Sequence, residues 1–255
     1  MTTWPIQGRP VWAELLTTDA EAAKSFYSTV VGWTYKPFPE AQHPYSIVHR
    51  PDGQSMGGVM PLPPGMNVPP HWEMYIAVSD LDATIAQITR MGGSSMSGVI
   101  DAPGVGRLST MKDPQGAIFA IIQPTPAASE EMSPAVGDVS WRELYTTDVL
   151  AAKKFYQDIF GWADAGEQDM GPIGKYYMFG RAESLGGMMN KTPDMAQLPT
   201  AWNLYFRVPD IDAAVGRVKQ SGGQVFNGPM EVPGGSRIAN CVDPQGASFS
   251  LHQQP

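Results

Sequence analysis

Apolar and polar positions switch between two periods along this chain. Residues 11–16 alternate as a strand does, and Ala23, Phe26, Tyr27 and Val30 then recur at helical spacing. Thr17, Thr18 and Asp19 offer an N-cap for that helix, and Gly32 a C-terminal stop. Strand-like runs follow at 33–38, 45–49 and 57–61. A second series opens at 72–78. Asp80 caps a helix with Leu81, Ile85 and Ile88 on one face, Gly92 and Gly93 end it, and strands cover 105–111 and 117–123. The Asp113-Pro114-Gln115-Gly116 turn between those strands suits type I geometry. The pattern predicts a βαβββ module, twice.

The whole series then recurs. Residues 12–33 and 141–162 share thirteen of 22 positions at an offset of 141 − 12 = 129, and the Asp-Pro-Gln-Gly-Ala turn reappears at 243–247. Ala152, Phe155, Tyr156 and Ile159 repeat the first helix, and Ile211, Val215 and Val218 the second. A period this long marks a tandem duplication. The expected domains are 1–124 and 137–255, joined by a linker at 125–136 rich in Pro, Ser and Glu.

The Asp…Ala..Phe-Tyr…Gly-Trp signature and the Asp-Pro-x-Gly hairpin resemble the glyoxalase/bleomycin-resistance/extradiol-dioxygenase superfamily, in its tandem two-domain glyoxalase-like form. The resemblance implies an α+β architecture. Two vicinal-oxygen-chelate domains would each fold two βαβββ modules into a curved sheet around a cavity, with helices on the convex side. It does not fix function, because relatives include isomerases, ring-cleaving dioxygenases, thiol transferases and drug-binding proteins.

Strand alternation sorts residues between the two faces. On the opening strands, Trp12, Glu14 and Leu16 share the expected cavity face, with Trp141, Glu143 and Tyr145 as counterparts. On the fifth strand the cavity set is Glu73 and Tyr75 in copy one, and Asn203, Tyr205 and Arg207 in copy two. On the last strand it is Ile118, Ala120 and Ile122 against Ser248, Ser250 and His252, so the second cavity reads as the more polar. The ligand-lining candidates are therefore Trp12, Glu14, Glu73, Tyr75, Trp141, Glu143, Asn203, Tyr205, Arg207, Ser250 and His252. Their aromatic members suit a planar ligand. Glu143, His252 and Glu14 are the candidate acid–base groups.

Metal-dependent relatives place His or Glu ligands on the first, fourth, fifth and eighth strands. By that resemblance the positions here fall on Trp12 and Trp141, on Gly57-Gly58 and Gly186-Gly187, on Glu73 and Asn203, and on Ala120 and Ser250. Of these only Glu73 has a metal-ligating side chain of the family type, and catalytic sites usually need three protein ligands. No cofactor is expected, a divalent metal being the disfavoured alternative.

Composition narrows the picture further. A net charge of −8 argues against nucleic acid and anionic membranes as partners. No apolar run approaches the length of a membrane helix, and no signal sequence is evident at the N-terminus, so a cytoplasmic protein is expected. It would be a monomer with pseudo-dimeric domains, or a homodimer. The lone Cys241 reads as a small buried thiol, while His43 and His71 sit beside prolines in loop-like sequence. Three functions stay open. One is metal-free binding or sequestration of an aromatic or planar small molecule. A second is a metal-dependent lyase, isomerase or dioxygenase. The third is a metal-independent enzyme using Glu143 with His252, or Glu14 with Glu73.

Overall fold

The computed structural model describes residues 7–41, 43–65, 68–125, 134–181 and 183–255. Copy one runs β1 (Arg9–Thr17), α1 (Ala20–Val31), β2 (Thr34–Pro37), β3 (Ser46–His49) and β4 (Ser55–Pro61). Its second module is β5 (His71–Ala77), α2 (Leu81–Arg90), β6 (Ser94–Ser95), β7 (Ile100–Ala102), β8 (Gly106–Lys112) and β9 (Ile118–Pro124). Copy two repeats the plan with β10 (Val139–Thr146), α3 (Val149–Phe160), β11 (Ala163–Asp169), β12 (Lys175–Gly180) and β13 (Ser184–Asn190). It closes with β14 (Ala201–Arg207), α4 (Ile211–Gln220), β15 (Gln224–Glu231), β16 (Arg237–Val242) and β17 (Ser248–Gln253). Among the departures from strict repetition, β6 and β7 stand where copy two has the single strand β15, and copy two adds short 3-10 turns at Gly171–Ile173 and Pro193–Met195. This is an α+β fold of two tandem domains with curved half-barrel sheets and, among the described residues, four α-helices. Most of the expected linker, residues 126–133, lies outside the described residues.

Local chemistry explains the helices. Asp19, Asp80, Asp148 and Asp210 each adopt extended backbone and accept a hydrogen bond from the N–H three residues on, so all four helices begin on the same cap. Gly32 and Gly161 take left-handed φ values of 89° and 68° at the ends of α1 and α3, which a side chain would resist.

The described residues form two compact units, each built from one module of each copy. In the first unit, β9 lies parallel to β5 and antiparallel to β8, and β10 and β13 form a parallel pair edged by β12 and β11. In the second unit, β1 and β4 are the parallel pair, edged by β3 and β2, while β17 joins β14 to β16 and β15.

Each unit has an aromatic core where its helices meet strand faces. In the second unit Phe26 and Tyr27 of α1 pack edge-on against Phe249, and Trp33 stacks on Tyr27. In the first, Phe119 meets Tyr156 and Phe160 of α3. Such pairs contribute about 0.5–1.5 kcal/mol beyond their burial.

Polar groups inside these cores are paired reciprocally. Trp72 donates to the Tyr27 hydroxyl at 2.9 Å, which donates to Asp243 at 3.1 Å. Trp202 donates to Tyr156 at 3.0 Å, which donates to Asp113 at 3.0 Å. Thus the Phe-Tyr signature of each copy is held by the Asp-Pro-Gln-Gly turn of the other. The second Asp oxygen is occupied within its own turn, accepting from Gln245 and Ala247, or from Gln115 and Ala117. The signature tryptophans do likewise, Trp33 donating to the Gly137 carbonyl and Trp162 to that of Gly8.

Candidate functional site

The strands place their polar residues on the face turned away from the helices. Phe249 and Phe206 meet the α1 aromatics, so by alternation Asn203, Tyr205 and Arg207 on β14, with Ser248, Ser250 and His252 on β17, point the other way. Register aligns these residues into rows. Tyr205 sits opposite Ser250, which sits opposite Asn240, which sits opposite Asn227. The next row is Arg207, His252 and Ile238. Copy one has Tyr75, Ala120 and Thr110 in the first row and Ala77, Ile122 and Leu108 in the second. Matched row by row, the copy-two residues are the more polar.

The copy-two row is a hydrogen-bonded network. Ser250 lies 2.7 Å from the side-chain amides of both Asn203 and Asn240, Asn240 also donates to Tyr205 at 3.2 Å, and Asn227 donates to Asn240 at 2.9 Å. Asn240 and Asn227 were not foreseen. Both are polar residues on strands otherwise read only for their apolar pattern. Asn203 is 8% exposed, and its side-chain carbonyl oxygen has no partner among the described residues. An unpaired buried group of this kind costs about 1–3 kcal/mol.

His252 is half-buried, and its Nδ1 lies 2.7 Å from the Ser140 hydroxyl. Ser140 in turn donates to the Tyr205 carbonyl at 3.2 Å. A carbonyl only accepts, so Ser140 spends its proton there and His252 donates from Nδ1, leaving Nε2 as an acceptor. Burial, with help from the Arg207 charge, lowers the His252 pKa below its ordinary value, so the ring is neutral near pH 7.

The paired glutamates are buried, each 7% exposed, rather than projecting into bulk water. Glu14 accepts a 2.7 Å hydrogen bond from Tyr45, whose hydroxyl also receives the Trp12 indole N–H at 3.0 Å. Burial first, then the Glu14 carboxylate, raises the Tyr45 pKa far above that of a free phenol, so Tyr45 remains a donor. Glu143 instead accepts from Tyr145 on its own strand. Glu73 and Tyr75 are buried, at 3% and 6% exposure, and Trp12 and Trp141 are half-buried.

The Gly-Gly strands explain the tyrosines. Gly58 lies beside Glu14 and Gly187 beside Glu143 in the parallel pairs. A methyl group on Gly58 would collide with the Tyr45 ring, and one on Gly187 with Tyr176. Each glycine makes room for an aromatic ring where a metal-binding relative would carry a ligand. Sequence reading missed Tyr45 and Tyr176 as site residues, although they occupy equivalent places before Val48 and Phe179. Tyr45 also lines an open recess of about 380 Å3 with Phe38, His43 and three prolines, away from the polar row of copy two.

Other repeated features resolve structurally. Arg107 pairs with Asp82 and Arg237 with Asp212 in forked contacts of 2.6–3.2 Å. Cys241 is buried, as expected. His71 is corrected from a loop residue to the first residue of β5, half-buried, with a pKa lowered chiefly by burial.

A family-type metal does not fit these positions. The fourth-strand places are glycines covered by tyrosines, and Ser250 is fully buried among amides. No group of three or more His, Cys, Asp or Glu converges on a metal position among the described residues. Nor, among them, is any helix long and apolar enough to cross a membrane.

Comparison with known proteins agrees with the architecture. Residues 138–251 match the "Glyoxalase/Bleomycin resistance protein/Dioxygenase superfamily", and residues 12–122 match a "Glyoxalase-like domain". The chain is 36% identical over 250 residues to "Putative glyoxylase CFP32" of Mycobacterium tuberculosis, covering 96% of this chain and 94% of that one. It is 30% identical over 257 residues to "Anthracycline biosynthesis protein DauV" of Streptomyces sp. strain C5, covering 96% and 92%. The Mn(II)-bound glyoxalase of Novosphingobium aromaticivorans has the same fold, with a TM-score of 0.66 at 16% identity over 97% of this chain and 82% of that one. On these grounds the chain belongs to the glyoxalase/bleomycin resistance protein/dioxygenase superfamily, as a tandem pair of its domains.

Proposed function

We propose that this protein binds or sequesters a planar or aromatic small molecule without a resident metal, using the polar face of copy two. The observation that carries the reading is the difference between matched rows. Tyr205, Ser250 and Asn240, followed by Arg207 and His252, stand where copy one has Tyr75, Ala120 and Thr110, followed by Ala77 and Ile122. An apolar wall buries a ligand and specifies it poorly, whereas a few convergent polar groups orient it. The names of the relatives, a glyoxylase and an anthracycline biosynthesis protein, also concern small organic molecules. Native mass spectrometry of protein purified without added metal tests the proposal. The expected result is a co-purifying small molecule retained after dialysis against EDTA. A stoichiometric divalent metal whose removal releases the ligand would favour the metal-dependent reading instead.

A further inference from the structure

Arg207 and Arg217 are the half-buried arginines whose Nε lacks a hydrogen-bond partner among the described residues, and Arg217 places its Nη2 on the Val30 carbonyl at 3.0 Å. The chain carries 25 acidic residues against 17 basic ones. Arg50, Arg107 and Arg237 all hold carboxylates. Arg207 is half-buried, its Nε is shielded from solvent, and that nitrogen has no hydrogen-bond partner among the described residues. Two acids close to it in the backbone, Asp138 and Asp210, use their carboxylates elsewhere. The Asp138 carboxylate pairs with Arg50 at 3.2 Å, although the Asp138 backbone carbonyl accepts from the Arg207 N–H. Asp210, three residues on, caps α4 through Ala213. A partly desolvated guanidinium without a counter-charge is costly, and a fold retains such a group more readily where a ligand supplies the charge.

Its neighbour completes the chemistry. Arg207 faces His252 directly in the parallel pairing of β14 and β17. The His252 Nδ1 is committed to Ser140, which leaves Nε2 as the acceptor of the ring. The matched pair in copy one is Ala77 and Ile122, which has neither charge nor acceptor.

We propose that Arg207 and His252 form an anion-anchoring subsite for a ligand carboxylate, making the ligand of copy two a planar aromatic acid. This rests on the reading of copy two as the ligand site and adds the charge of what binds there. The guanidinium fork accepts a carboxylate through two parallel N–H···O bonds, and Nε2 accepts from a hydroxyl beside it.

The test uses the full-length protein and two probes of one shape, anthraquinone-2-carboxylate and its neutral carboxamide, in calorimetric titrations. The expected result is that wild-type protein prefers the carboxylate by about tenfold or more. Arg207→Gln should abolish that preference, read as the ratio of the two affinities, and Arg207→Lys should keep part of it. Thermal melts confirm that each variant is folded. Equal binding of the two probes by the wild type, or a preference that survives in Arg207→Gln, overturns the inference and leaves the planar-ligand reading standing. Binding of neither probe counts against both.

Discussion

Tyr27 donates its hydroxyl proton to Asp243, 216 residues further along the chain, and Tyr156 does the same to Asp113. Each tyrosine is fully buried, and its pKa is raised by burial and then by the neighbouring carboxylate, so the proton stays on the phenol. Tyr27→Phe removes the donor to Asp243 and the acceptor for Trp72 together. It should destabilise the protein by about 1–3 kcal/mol, read as a lower urea midpoint. Tyr156→Phe should do likewise through Asp113 and Trp202. A midpoint unchanged in both variants would remove these contacts from any account of stability.

Gly58→Ala should displace Tyr45 from Glu14 and Trp12, at a cost of about 1–3 kcal/mol for the overpacked site. Absorbance titration at alkaline pH gives a direct readout. Tyr45 should resist ionisation in wild-type protein and titrate nearer the range of a free phenol once the ring swings out. An unaltered titration in the variant would mean that Gly58 is not what seats the ring.

The imidazole of His252 should make stability depend on mild acid. Its folded pKa lies below the unfolded value of 6.5, so between the two values the unfolded chain binds more protons. The contribution is therefore complete above pH 6.5 and is lost as pH falls through the folded pKa. Melting temperatures from pH 7.5 to 5 should fall less steeply for His252→Gln than for wild type. Parallel slopes would contradict the assigned shift. His71, lowered in the same direction, accounts for part of the slope remaining in that variant.

Burial pushes the Cys241 thiol up to about 12, which leaves almost no thiolate at neutral pH. A disulfide reagent such as DTNB should label none of the native protein within minutes and one thiol per chain in denaturant. Rapid native labelling would place the thiol in an exposed setting.

Much of this was legible in the sequence because it is local or periodic. Asp caps, Gly stops and the strand parity that separates Phe249 from Ser250 are all written within a few residues. The repeat at Trp12 and Trp141 exposed the two-copy plan, and Gly-Gly at the fourth strands already argued against ligands there. Tyr45 and Tyr176 escaped because nothing local ties a residue at the start of one strand to a glycine on the next. The bond from Tyr27 to Asp243 escaped for a stronger reason. Both motifs belong to the signature of each copy, and a signature does not say whether its halves meet within a copy or across the two.

The exchanged pairing also sets an order of events during synthesis. Trp33 leaves the ribosome without the Gly137 carbonyl, and Tyr27 without Asp243, so the first module waits for the last. At roughly 5–20 residues per second, the 216 residues between Tyr27 and Asp243 take about 10–40 s to translate. Asp113 and Tyr156, only 43 residues apart, meet much sooner. The contact of Asp113 with Tyr156 is therefore possible on the nascent chain well before Phe26 and Trp72 can meet Phe249 and Phe206.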